Sequence, residues 1–134
     1  MSRQHVLLVD DEPHVTHVLS RKLQRAGLDV RIARDGEEAQ RLAHELIPDI
    51  VVTDLQMPRV DGLGLALGLA ASEQTCNVPI LMLSGRGFLL DAELAQKTRI
   101  VRILEKPFSA TEILACVREI LESSTGTMTT GQAA

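Results

Sequence analysis

The chain has 134 residues, a length that fits one domain of ordinary size. Hydrophobic residues make up 45% of it, which is enough for a packed core and excludes wholesale disorder. Because the formal net charge is -4 and no long basic run occurs, we do not expect this domain to contact nucleic acid directly.

Short apolar runs alternate with helical patterns along the whole chain. Strands are predicted at residues 6–9, 28–33, 50–53, 79–83 and 100–104. Helices are predicted at residues 13–26, between Asp35 and Pro48, at 62–73, at 87–97, and between Ser109 and Glu122. Capping patterns mark two of the helix starts, with Asp35 as cap and Glu38 three residues on, and with Ser109 and Glu112 in a capping box. This alternation predicts an α/β fold in which a parallel sheet carries helices on both faces.

The remaining segments bear on domain boundaries and location. Residues 123–134 are small or polar and without period, which predicts a flexible C-terminal tail or linker. The chain does not start like a signal peptide, and its longest apolar run, Leu63–Ala71, is too short to cross a bilayer. Cys76 and Cys116 match no metal or disulfide pattern. We therefore expect a cytoplasmic protein with two reduced thiols and no membrane contact.

Polar side chains that could bind a ligand or take part in a reaction follow four of the five predicted strands. These residues are Asp10 and Asp11 after the first strand, Asp54 after the third, Ser84 after the fourth and Lys106 after the fifth. In an open parallel sheet, sites form beyond the carboxyl ends of the strands, near the point where strand order reverses. We therefore expect these side chains to meet at one end of the sheet.

Three carboxylates in one place need a counter-charge. Two carboxylates about 5 Å apart repel by roughly 3 kcal/mol at an effective dielectric of 20, so the cluster must take up protons or hold a cation. Oxygen ligands without nearby His or Cys favour Mg²⁺, or Mn²⁺, over zinc. The simpler alternatives are a helix cap with a solvated turn for Asp10 and Asp11, a solvated charge for Lys106, and a turn hydroxyl for Ser84.

These residues carry a recognisable pattern. The chain resembles the receiver domain of bacterial two-component response regulators, the CheY-like family, over about residues 4–122. The matching segments, in order, are Val9-Asp10-Asp11-Glu12-Pro13, Asp54-Leu55-Gln56-Met57-Pro58 with Asp61-Gly62, Ser84-Gly85, and Lys106-Pro107-Phe108. The resemblance implies a flavodoxin-like, three-layer αβα fold with a five-stranded parallel sheet in the order 2-1-3-4-5. It also implies a cis peptide between Lys106 and Pro107.

The resemblance further implies a function and its residues. Asp54 would accept a phosphoryl group from the phosphohistidine of a sensor histidine kinase or a histidine phosphotransfer protein. Asp11, Asp54 and the backbone carbonyl of Gln56 would ligate Mg²⁺, and Asp10 would act through bound water. Lys106 would pair with Asp54 at rest and with the phosphoryl group afterwards. The domain would catalyse its own phosphorylation and dephosphorylation and would not be an enzyme acting on small molecules.

Two pairs of residues concern signal lifetime and output. Gln56 and Arg86 would flank the path of the hydrolytic water and modulate hydrolysis. Ser84 and Ile103 occupy the family's switch positions, but many receivers have an aromatic residue where this chain has Ile103. An aliphatic side chain cannot reproduce an aromatic rotamer switch, so we expect a different relay, with reordering of segment 84–90 when a phosphoryl mimic binds.

Several alternatives remain open from the residues alone. One is a receiver-like interaction module that signals without phosphate, which Ile103 favours and the complete site disfavours. A second is a small-molecule phosphoryl hydrolase or transferase, but such enzymes usually have a second Asp where this chain has Gln56. The third predicted helix has no polar face around Leu67, which indicates either unusual burial or an apolar patch for a partner or a homodimer.

Overall fold

Strands and helices alternate along the chain, as the sequence predicts. The computed structural model describes residues 3–85 and 91–130, and side chains as far as residue 123. The strands are β1 (His5–Val9), β2 (Asp29–Ala33), β3 (Ile50–Asp54), β4 (Ile80–Ser84) and β5 (Ile100–Glu105). The helices are α1 (Pro13–Arg25), α2 (Gly36–Glu45), α3 (Gly62–Ala70), α4 (Ala92–Lys97) and α5 (Ala110–Thr130).

The strands form one parallel sheet in the order β2-β1-β3-β4-β5. This confirms the predicted fold class and strand order. Strand order reverses between β1 and β3, which are hydrogen-bonded neighbours with Val9 opposite Thr53. The residues that follow these two positions therefore leave the sheet side by side.

The strands bury side chains on both faces, because successive residues of a strand point to opposite sides. Val6 and Leu8 of β1 belong to a core cluster with α1 and α5, whereas Leu7 and Val9 belong to a second cluster with α2 and α3. Strands β3 and β4 are buried at every position, as expected for the centre of a doubly covered parallel sheet. The sheet is therefore a rigid base for residues at its end.

Side-chain caps define the starts of several helices. The Asp35 carboxylate accepts the backbone N–H of Glu38 at 2.8 Å. Ser109 and Glu112 form the predicted capping box: each side chain bonds the other's backbone N–H, at 3.1 and 2.8 Å. Both sequence predictions of helix starts are thus confirmed.

Other element bounds differ from the sequence prediction. Helix α3 ends at Ala70 and not at residue 73, because the Thr75 hydroxyl donates to the Leu69 carbonyl at 2.7 Å and the chain turns there. Helix α5 continues to Thr130, past the boundary expected after residue 122. The first residues of the predicted helix 87–97 lie outside the described residues.

Helix α3 is mostly buried. Leu65, Ala66 and Leu69 are at most 1% exposed, whereas Leu67 is 40% exposed. Burial against the sheet and α2 thus explains most of its apolar sequence, and a homodimer through this helix stays a prediction. Among the described residues, none of the helices has the length and apolar character that a membrane span requires.

Candidate functional site

The carboxyl ends of four strands bring the predicted site residues together. Asp54 is the last residue of β3, and Asp10 follows β1 directly beside it. Ser84 ends β4, and its carbonyl accepts the backbone N–H of Lys106 at 2.8 Å. The sheet register thus places one functional side chain from each of four strands at one edge.

Asp10, Asp11 and Asp54 form a cluster of carboxylates. One oxygen of each lies within 4.8 Å of the others. Asp10 and Asp54 are buried, at 7% and 6% exposure, while Asp11 is exposed. The Lys106 Nζ atom lies 3.4 Å from Asp54 Oδ1. Lys106 is therefore an ion-pair partner of the cluster and not simply a solvated charge.

Asp10 does not cap helix α1. Its Oδ1 accepts the backbone N–H of Glu12 at 3.0 Å, but Glu12 is the N-terminal cap residue and makes no side-chain capping bond. The alternative of a helix cap with a solvated turn therefore accounts for one oxygen of Asp10 only. It does not explain why the buried carboxylates of Asp10 and Asp54 lie close to each other.

Burial disfavours the ionised forms of the Asp10 and Asp54 carboxylates. It raises the pKa of Asp10 from 3.8 to about 6, against the Glu12 hydrogen bond, and the charges of Asp54 and Asp11 add to the increase. The pKa of Asp54 is also raised, chiefly by burial, against the opposing charge and hydrogen bond of Lys106. The cluster thus has an excess of negative charge that one ammonium group offsets only in part.

The residues present suit a hard divalent cation. Three carboxylates from β1 and β3 supply oxygen ligands at short mutual distance. Against the larger effect of burial, the Gln56 backbone amide lowers the pKa of Asp54 in part, which places the Gln56 peptide beside the cluster. An ion with two positive charges would offset both the cost of burying the charged carboxylates and their mutual repulsion, which together raise the pKa of Asp10 and Asp54.

The remaining predicted residues have different surroundings. The Ser84 side chain is buried, and its hydroxyl donates to the Gly85 carbonyl at 2.9 Å. Ile103 lies on β5, half-buried against the core cluster of α2 and α3. The Lys106–Pro107 peptide is cis, as predicted, and Phe108 then packs against the cluster of α1 and α5. Arg86 lies outside the described residues.

Two features of the loop between β3 and α3 were not predicted from the sequence. Gly62 packs so closely that a Cβ atom there would lie 2.6 Å from the Asp54 carbonyl oxygen. Arg59 has a positive φ of 63° and pairs with Asp35 at 3.2 Å. The sequence predicts only a capping role for Asp35, and nothing in the local sequence points to Arg59.

Comparison with known proteins agrees with this geometry. A family model described as "Response regulator receiver domain" matches residues 6–118. The chain belongs to this family. Receiver domains are signalling modules of two-component systems and are not enzymes that act on small molecules.

Curated relatives of this receiver domain include transcriptional regulators. The regulator RpaA of Synechocystis is 38% identical over 116 residues, which cover 87% of this chain and 48% of RpaA. PhoP of Bacillus subtilis, a regulator of alkaline phosphatase synthesis, is 37% identical over 119 residues, or 89% of this chain and 49% of PhoP. The chain spans about half the length of the curated relatives it matches.

Solved receiver domains have the same fold. The receiver domain of the Francisella response regulator 1452 superposes with a TM-score of 0.80 at 29% identity, covering 91% of this chain and 99% of that one. The receiver domain of the sensor histidine kinase PA1611 from Pseudomonas aeruginosa gives a TM-score of 0.79 at 28% identity, covering 91% and 100%. That structure has a magnesium ion coordinated in its active-site cleft.

Proposed function

We propose that Asp54 of this receiver domain accepts a phosphoryl group from the phosphohistidine of a histidine kinase or a histidine phosphotransfer protein. One observation carries the proposal: the buried Asp54 carboxylate lies within 4.8 Å of two other carboxylates and 3.4 Å from the Lys106 ammonium group. A cytoplasmic location follows from the proposal, because such donors present their phosphohistidine in that compartment.

The reaction is a transfer between two nucleophiles. An Asp54 carboxylate oxygen attacks phosphorus, the phosphorus–nitrogen bond of the phosphohistidine breaks, and the electron pair returns to the imidazole nitrogen. Attack requires the ionised carboxylate, which burial opposes and Lys106 favours. Lys106 is also placed to balance charge on a transferred phosphoryl oxygen.

The chain's own oxygens would hold Mg²⁺. Asp11, Asp54 and the Gln56 carbonyl are the proposed direct ligands, and Asp10 is proposed to act through water. The bound ion would neutralise phosphoryl oxygens and the cluster itself. The support is the mutual proximity of the three carboxylates and the position of the Gln56 peptide beside Asp54.

We propose that the remaining site residues transmit the phosphorylation signal and influence hydrolysis of the phosphoryl group. The Ser84 hydroxyl would exchange its bond to the Gly85 carbonyl for a bond to a phosphoryl oxygen. That movement would change the surroundings of Ile103, which lies on the neighbouring strand. Water would then hydrolyse the acyl phosphate, with Gln56 and Arg86 modulating the rate. The reordering of segment 84–90 stays a prediction, since residues 86–90 lie outside the described residues.

Intact mass spectrometry tests the proposal. After incubation with acetyl phosphate and Mg²⁺, we expect the wild type to gain the mass of one phosphoryl group and the Asp54→Ala variant to gain none. Asp61→Asn is the matched control, because Asp61 is an exposed helix cap in the following loop, and Asn preserves capping. Equal labelling of wild type and Asp54→Ala, or no binding of beryllofluoride by the wild type, would contradict the proposal.

Lys106→Met should separate ion binding from phosphoryl transfer. Loss of the ammonium group removes the largest influence that opposes the raised pKa of Asp54, and also a cation that competes with Mg²⁺. We expect tighter Mg²⁺ binding by calorimetry at pH 8, together with phosphorylation slower by about 100-fold. Lys97→Met is the control, because Lys97 is an exposed lysine paired with Glu93 on α4. Wild-type kinetics in Lys106→Met would exclude a role for Lys106 in transfer.

A further inference from the structure

Arg59 has an unfavourable backbone conformation in the loop between β3 and α3. Its φ of 63° lies in the left-handed region, where a side chain with a Cβ atom is disfavoured. Such a conformation persists only where its surroundings hold it. The guanidinium group shows what holds it, since it lies 3.2 Å from Asp35, the cap residue of α2, and 3.8 Å from Glu37 in the first turn of that helix.

The Asp35 carboxylate that pairs with Arg59 is buried and fixed by a second contact. The Asp35 side chain is only 9% exposed, whereas that of Arg59 is 67% exposed. One Asp35 oxygen accepts the backbone N–H of Glu38, and the other pairs with Arg59. Because the carboxylate is fixed by its capping bond, Arg59 binds to a rigid point and not to a mobile surface side chain.

A second contact joins the same two loops. The backbone N–H of Gly36 donates to the carbonyl of Val60 at 2.9 Å. A Cβ atom at Gly36 would lie 2.5 Å from that carbonyl oxygen, so the two backbones meet without room for a side chain. Arg59 and Val60 together therefore attach the middle of the β3–α3 loop to the start of α2.

The ends of this loop are fixed independently. At its start, the backbone N–H of Leu55 donates to the Leu83 carbonyl at 2.9 Å, and at its end the Gly62 N–H donates to the Leu55 carbonyl at 2.8 Å. Between them lies Gln56, whose backbone amide is close enough to the Asp54 carboxylate to act on its pKa. The contacts of Arg59 and Val60 thus join the middle of the loop to the start of α2.

We propose that Arg59 is a positioning residue for the metal site: by pairing with Asp35 it fixes the loop that presents the Gln56 carbonyl to Mg²⁺. This inference rests on the proposed function, which makes that carbonyl a ligand. Residues that orient metal ligands typically change metal affinity when they are replaced.

The direction of the change in Mg²⁺ affinity in Arg59→Ala distinguishes a positioning role from a simple charge effect. Arg59 lines the same cavity as Asp10 and Asp11, so removing its positive charge alone would strengthen Mg²⁺ binding, if it changed it at all. Loss of loop position would weaken binding. A weaker affinity in Arg59→Ala is therefore an outcome that neither charge removal nor a purely structural role would produce.

Calorimetric titration of Mg²⁺ into the metal-free protein tests the inference. We expect Arg59→Ala to bind about 10-fold more weakly than wild type, and Arg59→Lys, which keeps a cation for Asp35, to recover most of the loss. Arg41→Ala is the charge-matched control, because Arg41 is exposed and pairs with Glu38 and Glu45 on α2. It should bind Mg²⁺ at least as tightly as wild type.

Gly36→Ala displaces the same loop by a different route and should also weaken Mg²⁺ binding, with the charge unchanged. Urea denaturation without Mg²⁺ monitors folding of each variant. Arg59→Ala that loses stability but keeps wild-type Mg²⁺ affinity would overturn the inference and leave the proposed function standing. A wild type that binds no Mg²⁺ would overturn the proposed function itself, and the inference with it.

Discussion

Without divalent ions at pH 7.5, the Asp10→Asn variant is expected to be more stable than the wild type, by up to about 3 kcal/mol. The reason is the burial of Asp10, which raises its pKa from 3.8 to about 6, so that the ionised form is unfavourable in the folded state. Asn has nearly the same shape and can still accept the Glu12 N–H. It removes the repulsion with Asp11 and Asp54 without breaking that bond.

The pH dependence of this gain has a defined sign. Because the folded-state pKa of Asp10 is raised, its contribution to wild-type stability is fully present below about pH 4 and is lost as the pH rises through 6. The stability difference between Asp10→Asn and wild type should therefore be small at pH 4 and largest above pH 7. Mg²⁺ should reverse the order at high pH, because it stabilises a folded protein that binds it.

Urea denaturation followed by circular dichroism, from pH 4 to pH 8 with and without Mg²⁺, measures these differences. Asp61→Asn again serves as the control, since it removes one negative charge from an exposed capping position close to the same end of the sheet. A flat difference between Asp10→Asn and wild type over this pH range would show that Asp10 is not an unfavourably buried carboxylate.

Gly62→Ala is expected to destabilise the protein by about 3 kcal/mol, as overpacking of a tightly packed site does. The new Cβ atom would lie 2.6 Å from the Asp54 carbonyl oxygen and 2.9 Å from both Leu55 Cα and Met82 Sδ. Two of these atoms belong to the backbone at the end of β3, which cannot move without displacing Asp54. The variant should therefore also lose most of its phosphorylation by acetyl phosphate.

Gly64→Ala provides a sharp comparison for that experiment. Both glycines lie in the first turn of α3, but among the described residues a Cβ atom at position 64 meets only the Val60 side chain at 3.0 Å and the Asp61 carboxylate at 3.5 Å. Alanine also favours helix by about 1 kcal/mol over glycine. We expect Gly64→Ala to stay within about 1 kcal/mol of wild type; similar losses in both variants would refute the contact argument for Gly62.

The convergence of the site was predictable because it follows from topology. Continuous apolar runs such as Ile50–Thr53 identify buried parallel strands, and parallel strands end at the same edge of the sheet. The residues after those runs, including Asp10 and Asp54, must then meet wherever strand order reverses. Residue type and position along the chain sufficed, without any knowledge of side-chain orientation.

Contacts between distant loops were not predictable in the same way. The capping motif of Asp35 and Glu38 is local, and it predicts the start of α2 correctly. It uses only one of the two Asp35 oxygens, however. The partner of the other oxygen, Arg59, adopts its left-handed conformation because of tertiary contacts, which no local pattern records. The end of α3 was misplaced for a similar reason, since the Thr75 hydroxyl bonds back to Leu69.

The aliphatic core has a practical consequence. The chain contains neither Trp nor Tyr, so the folded protein has almost no intrinsic fluorescence. Phe108 packs against the core two residues after Lys106, and a Phe108→Trp substitution would introduce the molecule's sole indole there. Its emission would report changes in the packing of the segment that follows Lys106, free of any background signal from elsewhere in the protein.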